Sequence, residues 1–305
     1  MDTKLLEKLC KIHAPSGNES AMTGFLLDYV KKHQDKWKVQ PTIIQGEGFQ
    51  DCVLLSFGKP RTAIFAHIDS IGFTVRYENQ LVPIGSPEAE TGFELVGKDS
   101  FGDIQCKLKV NEEGHCFYDF GRAIDRGTDL VFKCDFRNSK EYVQSAYLDN
   151  RLGVYSALKV CETLKDGLVV FSTWEEHGGG AVPFIVKYAY EEFGIKQALI
   201  SDITWVTEGV QHGSGVAISM RDRNIPRRSF INKIIDHAID SGIGHQIEVE
   251  GSGSSDGQEV QKAPYPIDWC FVGAPEDNVH SPNEKVHKHD IECMIKMYEY
   301  LMERL

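Results

Sequence analysis

The chain has 305 residues, long for one domain and sufficient for two, or for one large α/β domain carrying an insertion. Its 41% hydrophobic and 26% charged residues are ordinary globular proportions and argue against wholesale disorder. With 33 Lys and Arg against 45 Asp and Glu the net charge is −12, which argues against nucleic acid or an anionic membrane surface as a partner.

The opening MDTKLLEKLCKIHAPSGNES carries charges where a signal peptide needs an unbroken apolar stretch, so no export is expected. No apolar run approaches the ~18 residues of a membrane span. Leu5, Leu6, Leu9 and Ile12 recur at helical spacing until Pro15-Ser16-Gly17, and Ser20 to Lys32 predicts a second helix with Phe25, Leu26, Tyr29 and Val30 on one face. Short apolar runs follow, each closed by a polar group. Val53-Leu54-Leu55 precedes Gly58, and Ala63-Ile64-Phe65-Ala66 runs into His67. From about Ile71 to Val143 helical periodicity fades. Alternating pieces such as Thr74–Tyr77, Ile104–Val110, Cys116–Phe120 and Leu130–Phe136 are separated there by Gly, Asp and Asn. Leu152 to Leu164 then predicts a helix, and Leu168 to Phe171 a strand running through Thr173-Trp174 into Glu175-Glu176. Ala181 to Phe193 predicts a helix, Ala198-Leu199-Ile200 a strand running into Asp202, and Phe230 to Gly242 another helix. Trp269 to Val272 predicts a last strand and His289 to Leu305 a closing helix.

Continuous apolar runs of this length suit strands buried on both faces, and their alternation with helices predicts a doubly wound, mostly parallel sheet. The expected organisation is a discontinuous α/β catalytic domain, residues 1–70 and 144–305, interrupted by a small β domain over residues 71–143. Eight cysteines are scattered without a CxxC pair, and they read as reduced thiols of a cytoplasmic protein.

His67, Glu175-Glu176 and Asp202 all fall at predicted strand ends, and Asp149 opens a predicted helix in YLDNRLG. In an open α/β sheet the ligand crevice lies outside the carboxyl ends of the strands, so these distant residues converge on one cleft. Taken singly, each also has a plain structural reading: His67 as a core histidine, Asp149 as a helix N-cap, Asp202 as a turn residue, His280 as a loop histidine. Asp69, two residues after His67, is placed to orient an imidazole through its other nitrogen. Asp256 in GSGSSDG reads as a turn residue or as a supporting group of the same cleft. The adjacent carboxylates Glu175 and Glu176 are costly at the end of an apolar strand unless a cation offsets them. Neighbouring side chains on extended backbone point to opposite sides, so one can ligate metal while the other faces a water. Two histidines and several carboxylates, with no cysteine, suit Zn²⁺, or else Co²⁺ or Mn²⁺. More than four donors suggests two ions, which in such sites lie ~3.5–4 Å apart.

These residues, in this order, resemble the dinuclear aminopeptidases of metallopeptidase family 42, the glutamyl and deblocking (TET-type) enzymes. The resemblance covers nearly the whole chain: APSGNES, AHIDSIG, GTDLVFKCDF, YLDNRLG, the Glu-Glu turn, the DIT segment, GSSDG and VHSPNEKV. It implies that Asp149 bridges two metals, that His67 and Asp202 complete one site, and that Glu176 and His280 complete the other. It implies further that Glu175 is the general base, that Asp69 orients His67, and that the substrate is a peptide with a free N-terminus. The turn His177–Ala181 departs from the family pattern in being one residue shorter and lacking a basic residue, and the insert is shorter as well. A homo-oligomer is expected, a dimer or larger.

Two other readings share the metal constellation. One is a co-catalytic zinc carboxypeptidase or amide deacylase; the insert before Asp149, rather than after the glutamates, argues against it. The other is a catalytically silent scaffold, against which an intact Glu175 argues. Arg221, Arg223, Arg227 and Arg228 cluster near Ile225-Pro226 and read either as a solvated loop or as a pocket for an acidic first residue.

Overall fold

The computed structural model of the chain describes Met1 and residues 3–305. Eleven strands form one sheet, and its centre is parallel. Strand Ala63–His67 lies between Gly167–Ser172 and Gln197–Trp205, and the latter pairs with Asp268–Asp277, all parallel. The edges are antiparallel: Thr42–Ile44 and Val53–Phe57 on one side, Glu284–His287, Tyr142–Ser145 and Arg137–Asn138 on the other. Val216–Ser219 and His245–Glu248 add a branch against Asp268–Asp277.

Period-2 alternation sends successive side chains of each central strand to opposite faces, and both faces are covered. Ile64, Ala66, Val169, Phe171, Leu199 and Cys270 meet helices Thr3–Cys10, Ser20–His33, Leu148–Cys161, Arg228–Ser241 and Lys288–Arg304. Phe65, Leu168, Val170, Ile200 and Trp269 meet Val182–Phe193 and Asp256–Lys262. Each fully buried Leu, Val or Phe contributes about 1.5–3 kcal/mol, which makes these two layers the scaffold that fixes the strand ends.

After His67 the chain leaves the sheet and closes a barrel. Gly72–Val75, Gln80–Ile84, Cys116–Asp119, Gly102–Val110, Glu94–Asp99 and Asp129–Phe132 pair antiparallel in that circular order. Phe73, Leu95, Ile104, Leu108, Leu130 and Phe132 fill it. Closure leaves no unpaired edge in so small a sheet.

Three local expectations are corrected. Asp202 does not end its strand, which continues through Ile203, Thr204 and Trp205 because Asp268–Asp277 pairs alongside as far as Glu276. Trp269 to Val272 is not the last strand, since Glu284–His287 follows and pairs back on it. Asp256 begins a short helix rather than a turn; Ser255 caps it by accepting from the Gly257 N–H.

Candidate metal centre

His67 closes its strand with its ring 1% exposed, and Ser172 of the neighbouring strand is its register partner. Glu175 and Glu176 stand just beyond Ser172, where Asp69 fastens the turn. The Glu175 N–H donates to Asp69 Oδ1 and the Glu176 N–H to Asp69 Oδ2, both at 3.1 Å, and the Ser16 hydroxyl donates to Oδ2 at 2.5 Å. His67 Nδ1 lies 3.3 Å from Asp69 Oδ1, near enough to pair but outside hydrogen-bond geometry. Asp69 therefore faces His67 and holds the glutamate backbone at once. Behind the glutamates, Gly180 lies so close to the Trp174 ring that a Cβ there would stand 2.5 Å from it.

Asp149 is set by the first turn of helix Leu148–Cys161, where Asp149 and Asn150 have non-helical torsions and a cis peptide between them. The Asn150 side chain donates to the Ser201 carbonyl at 2.8 Å and accepts from the Gly153 N–H at 2.8 Å. Asp149 Oδ1 lies 3.3 Å from His67 Nε2, and Oδ2 lies 3.2 Å from His280 Nε2. One carboxylate thus presents a separate oxygen to each imidazole. Around His67 Nε2 are also Asp202 Oδ2 at 3.6 Å and Glu175 Oε2 at 3.9 Å; Glu176 Oε2 lies 3.1 Å from His280 Nε2. Ligand atoms of His67, Asp149 and Glu176 fall within 4.8 Å of one another.

His280 sits in the loop between Asp268–Asp277 and Glu284–His287. Its Nδ1 is 3.1 Å from the Ser86 carbonyl and 3.0 Å from the Ser86 hydroxyl. A carbonyl only accepts, so Nδ1 carries a proton, and Nε2, facing Asp149 and Glu176, is the nitrogen that a metal ion would take. Ser86 comes from the barrel side of the chain, which ties that barrel to the centre. Glu284 accepts from the Asp149 N–H at 3.2 Å and the His280 N–H at 3.1 Å. Ser16, Ser86 and Glu284 were missed by sequence reasoning. Ser16 and Glu284 lie in the APSGNES and VHSPNEKV segments that carry the resemblance but were given no role there; nothing marked Ser86.

The electrostatics show what the cluster lacks. Burial drives the Glu175 carboxyl well above its ordinary range, and the charges of Asp202 and Glu176 push the same way against His67. Burial and the charge of Asp149 take Glu176 to about 7 and Asp202 to about 6. Burial opposes ionisation of Asp149 too, but the two imidazoles hold it well below the carboxylate range. Asp149 and Glu176 in turn push His280 up to about 12 against its own burial. The buried guanidinium of Arg151 is turned away, donating to the carbonyls of Ile68, Asp69 and Ala14. Glu176 Oε1 is buried without a hydrogen-bond partner. Four carboxylates and two imidazoles converge with too little positive charge among them. Divalent cations supply that charge, and the mixed nitrogen and oxygen donors fit them.

Asp256 lies behind the centre, where it accepts from the Ser172 hydroxyl and burial raises it to about 7. The four arginines take no part. Arg227 pairs with Asp268, Arg228 reaches the Met220 sulfur at 3.7 Å, Arg221 donates to the Asp222 backbone carbonyl, and Arg223 is exposed; none lines the cavity at the centre. The cavity at the centre therefore offers no guanidinium to an acidic side chain.

The family model for M42 glutamyl aminopeptidases matches residues 118–297, more than half of the chain. The "putative aminopeptidase" of Acetivibrio thermocellus is 22% identical, with 96% of each chain aligned. Among solved structures, an aminopeptidase of Desulfurococcus kamchatkensis superposes with a TM-score of 0.87 at 21% identity, covering 99% of this chain and 94% of that one. The TET1 peptidase of Pyrococcus horikoshii gives 0.85 at 20% identity over 99% of both chains. These likenesses carry the fold, and the family model carries the membership. The chain belongs to the M42 glutamyl aminopeptidase family and is a metal-dependent aminopeptidase.

Proposed function

We propose that this chain removes the first residue of peptides with a free N-terminus, with two divalent cations held by His67, Asp149, Glu176, Asp202 and His280. The observation that carries the number two is Asp149, whose separate oxygens face two imidazoles. His67 and Asp202 would complete one site, Glu176 and His280 the other. Zn²⁺ matches the donors best, and Co²⁺ or Mn²⁺ shares them. When bound, such a pair of ions polarises the scissile carbonyl and acidifies the attacking water.

The chain's own residues then divide the work. Glu175 takes the proton from the water and returns it to the departing amine. Its buried setting raises its basicity for that task. Asp69 holds both glutamate N–H groups and faces His67, so it fixes the base and a ligand in register. Ser86 and Glu284 orient His280 and Asp149.

The proposed organisation is a discontinuous catalytic domain interrupted by an inserted β domain; of the expected insert 71–143, Arg137–Asn138 and Tyr142–Val143 pair into the catalytic sheet instead. A homo-oligomer is proposed by analogy with the Pyrococcus horikoshii TET1 peptidase, which assembles into a tetrahedron or a large octahedral shell. No helix among the described residues is long and apolar enough to cross a membrane. All eight cysteines are free, which supports a reducing, cytoplasmic setting. Side-by-side assay of leucine p-nitroanilide and an N-acyl amino acid on metal-loaded protein tests the reading. Release from the anilide alone is expected; hydrolysis of the N-acyl substrate alone would make the chain a deacylase.

A further inference from the structure

We propose that the cavity beside the metal centre selects peptides whose first residue is lysine or arginine, through Asp222, Glu248 and Glu250. This rests on the aminopeptidase reading and names its substrate class. The cavity, about 370 Å³, runs from Asp149, Glu175 and Glu176 to a far wall made by the strand extension and the loop beyond His245–Glu248. That volume falls in the ~300–1,000 Å³ range of ligand pockets.

The far wall is acidic where a pocket for glutamate would be basic. Asp222, Glu248 and Glu250 line it in addition to the carboxylates of the metal centre, and no lysine or arginine does. Glu248 is 3% exposed and Asp222 9%. Glu248 accepts from the Thr204 hydroxyl, and Asp222 Oδ1 accepts from the Asn224 backbone at 2.5 Å and its side chain at 3.1 Å. These neutral donors fix the carboxylates in place without neutralising them. Burial raises both above their ordinary values, and Arg221 opposes this at Asp222. Ile203, Trp205 and Phe271 line the same cavity with apolar surface. Lysine and arginine match this division: an apolar stem to lie on the ring and aliphatic surfaces, and a cationic head to meet the carboxylates. An acidic first residue would meet like charge on that wall.

The test uses metal-loaded enzyme and the p-nitroanilides of Lys, Arg, Leu and Glu. We expect kcat/KM for Lys or Arg to exceed that for Leu by about 10-fold or more, the scale of one contact to a charged group, with Glu poorest. Glu248→Gln and Glu250→Gln should each lower the Lys-to-Leu ratio about 10-fold, chiefly through KM. Glu250 is only partly buried, so its variant keeps the test valid if Glu248→Gln folds poorly. Preference for Leu or Glu would overturn the proposal and leave the aminopeptidase reading standing. An equal loss on every substrate in both variants, with the Lys-to-Leu ratio unchanged, would also overturn it, since the acids would then hold the α-amine or the fold. No release from any of the four would overturn both.

Discussion

Asp69 grips the backbone of Glu175 and Glu176 while it faces His67, so a single oxygen-for-nitrogen change there should disturb several parts of the centre. Asp69→Asn is expected to weaken metal affinity about 10–100-fold, the usual cost of losing a group that orients a ligand; metal titration reads this directly. Glu175→Gln is expected to keep its metal and lose turnover by about 10²–10⁴, the worth of a positioned proton acceptor. Glu176→Gln is expected to lose metal instead. Metal content beside kcat for the two variants decides this, and the opposite pattern would exchange their roles. His67, Glu175, Glu176 and Asp202 were legible because each closes or follows an apolar run, where an ionisable group is costly without a purpose, whereas Asp149 and His280 were singled out by the family resemblance. The supporting residues were not. Ser86 reaches His280 across 194 positions, and a serine in a loop has no sequence pattern that marks such a contact.

At the scale of the element, helix Leu148–Cys161 must approach strand Gln197–Trp205 closely enough to bring Asp149 between the two imidazoles. Gly153 permits that. An added Cβ would stand 2.1 Å from the Ser201 carbonyl oxygen and 2.2 Å from Asn150 Oδ1. Gly→Ala inside a helix ordinarily gains up to about 1 kcal/mol. Here the clash, about 1–3 kcal/mol or more for an overpacked core, wins. Gly153→Ala is expected to lower the Tm and the metal content together; a rise in Tm with metal retained would show that the helix has room. The central strands and long helices were legible from period and run length, and the β character of 71–143 from alternation between turn residues. The short strands Val216–Ser219, His245–Glu248 and Glu284–His287 were not. They are short and mixed in polarity, and their pairing is decided by the neighbour rather than by their own residues. The extension of Gln197–Trp205 past Asp202 has the same cause, since polar Asp202 and Thr204 broke the apolar run while the ladder continued.

For the whole molecule, the net charge of −12 is echoed inside, where buried acids converge on the sheet's carboxyl ends. This fixes how stability should depend on pH. Without metal, burial and neighbouring charge raise Asp202 to about 6 and Glu176 to about 7. A carboxyl with a raised pKa holds its proton more tightly when folded, so its contribution is full below the unfolded value of about 4 and is lost as pH rises through the folded value. The chelated protein should therefore lose stability between about pH 4 and pH 7. Bound cations replace those protons and should reverse the slope. Urea midpoints across that range, with and without chelator, check this; parallel curves would mean that the carboxylates do not bind metal. The central claim, two ions and the turnover that depends on them, is tested most directly by one measurement. Metal per chain is determined on purified protein, with aminoacyl-p-nitroanilide release followed before chelation, after it, and after Zn²⁺ or Co²⁺ is returned. The account predicts about two ions per chain, release abolished by the chelator and restored by the metal. Release that survives removal of all metal, or a chain that takes up none, would contradict it.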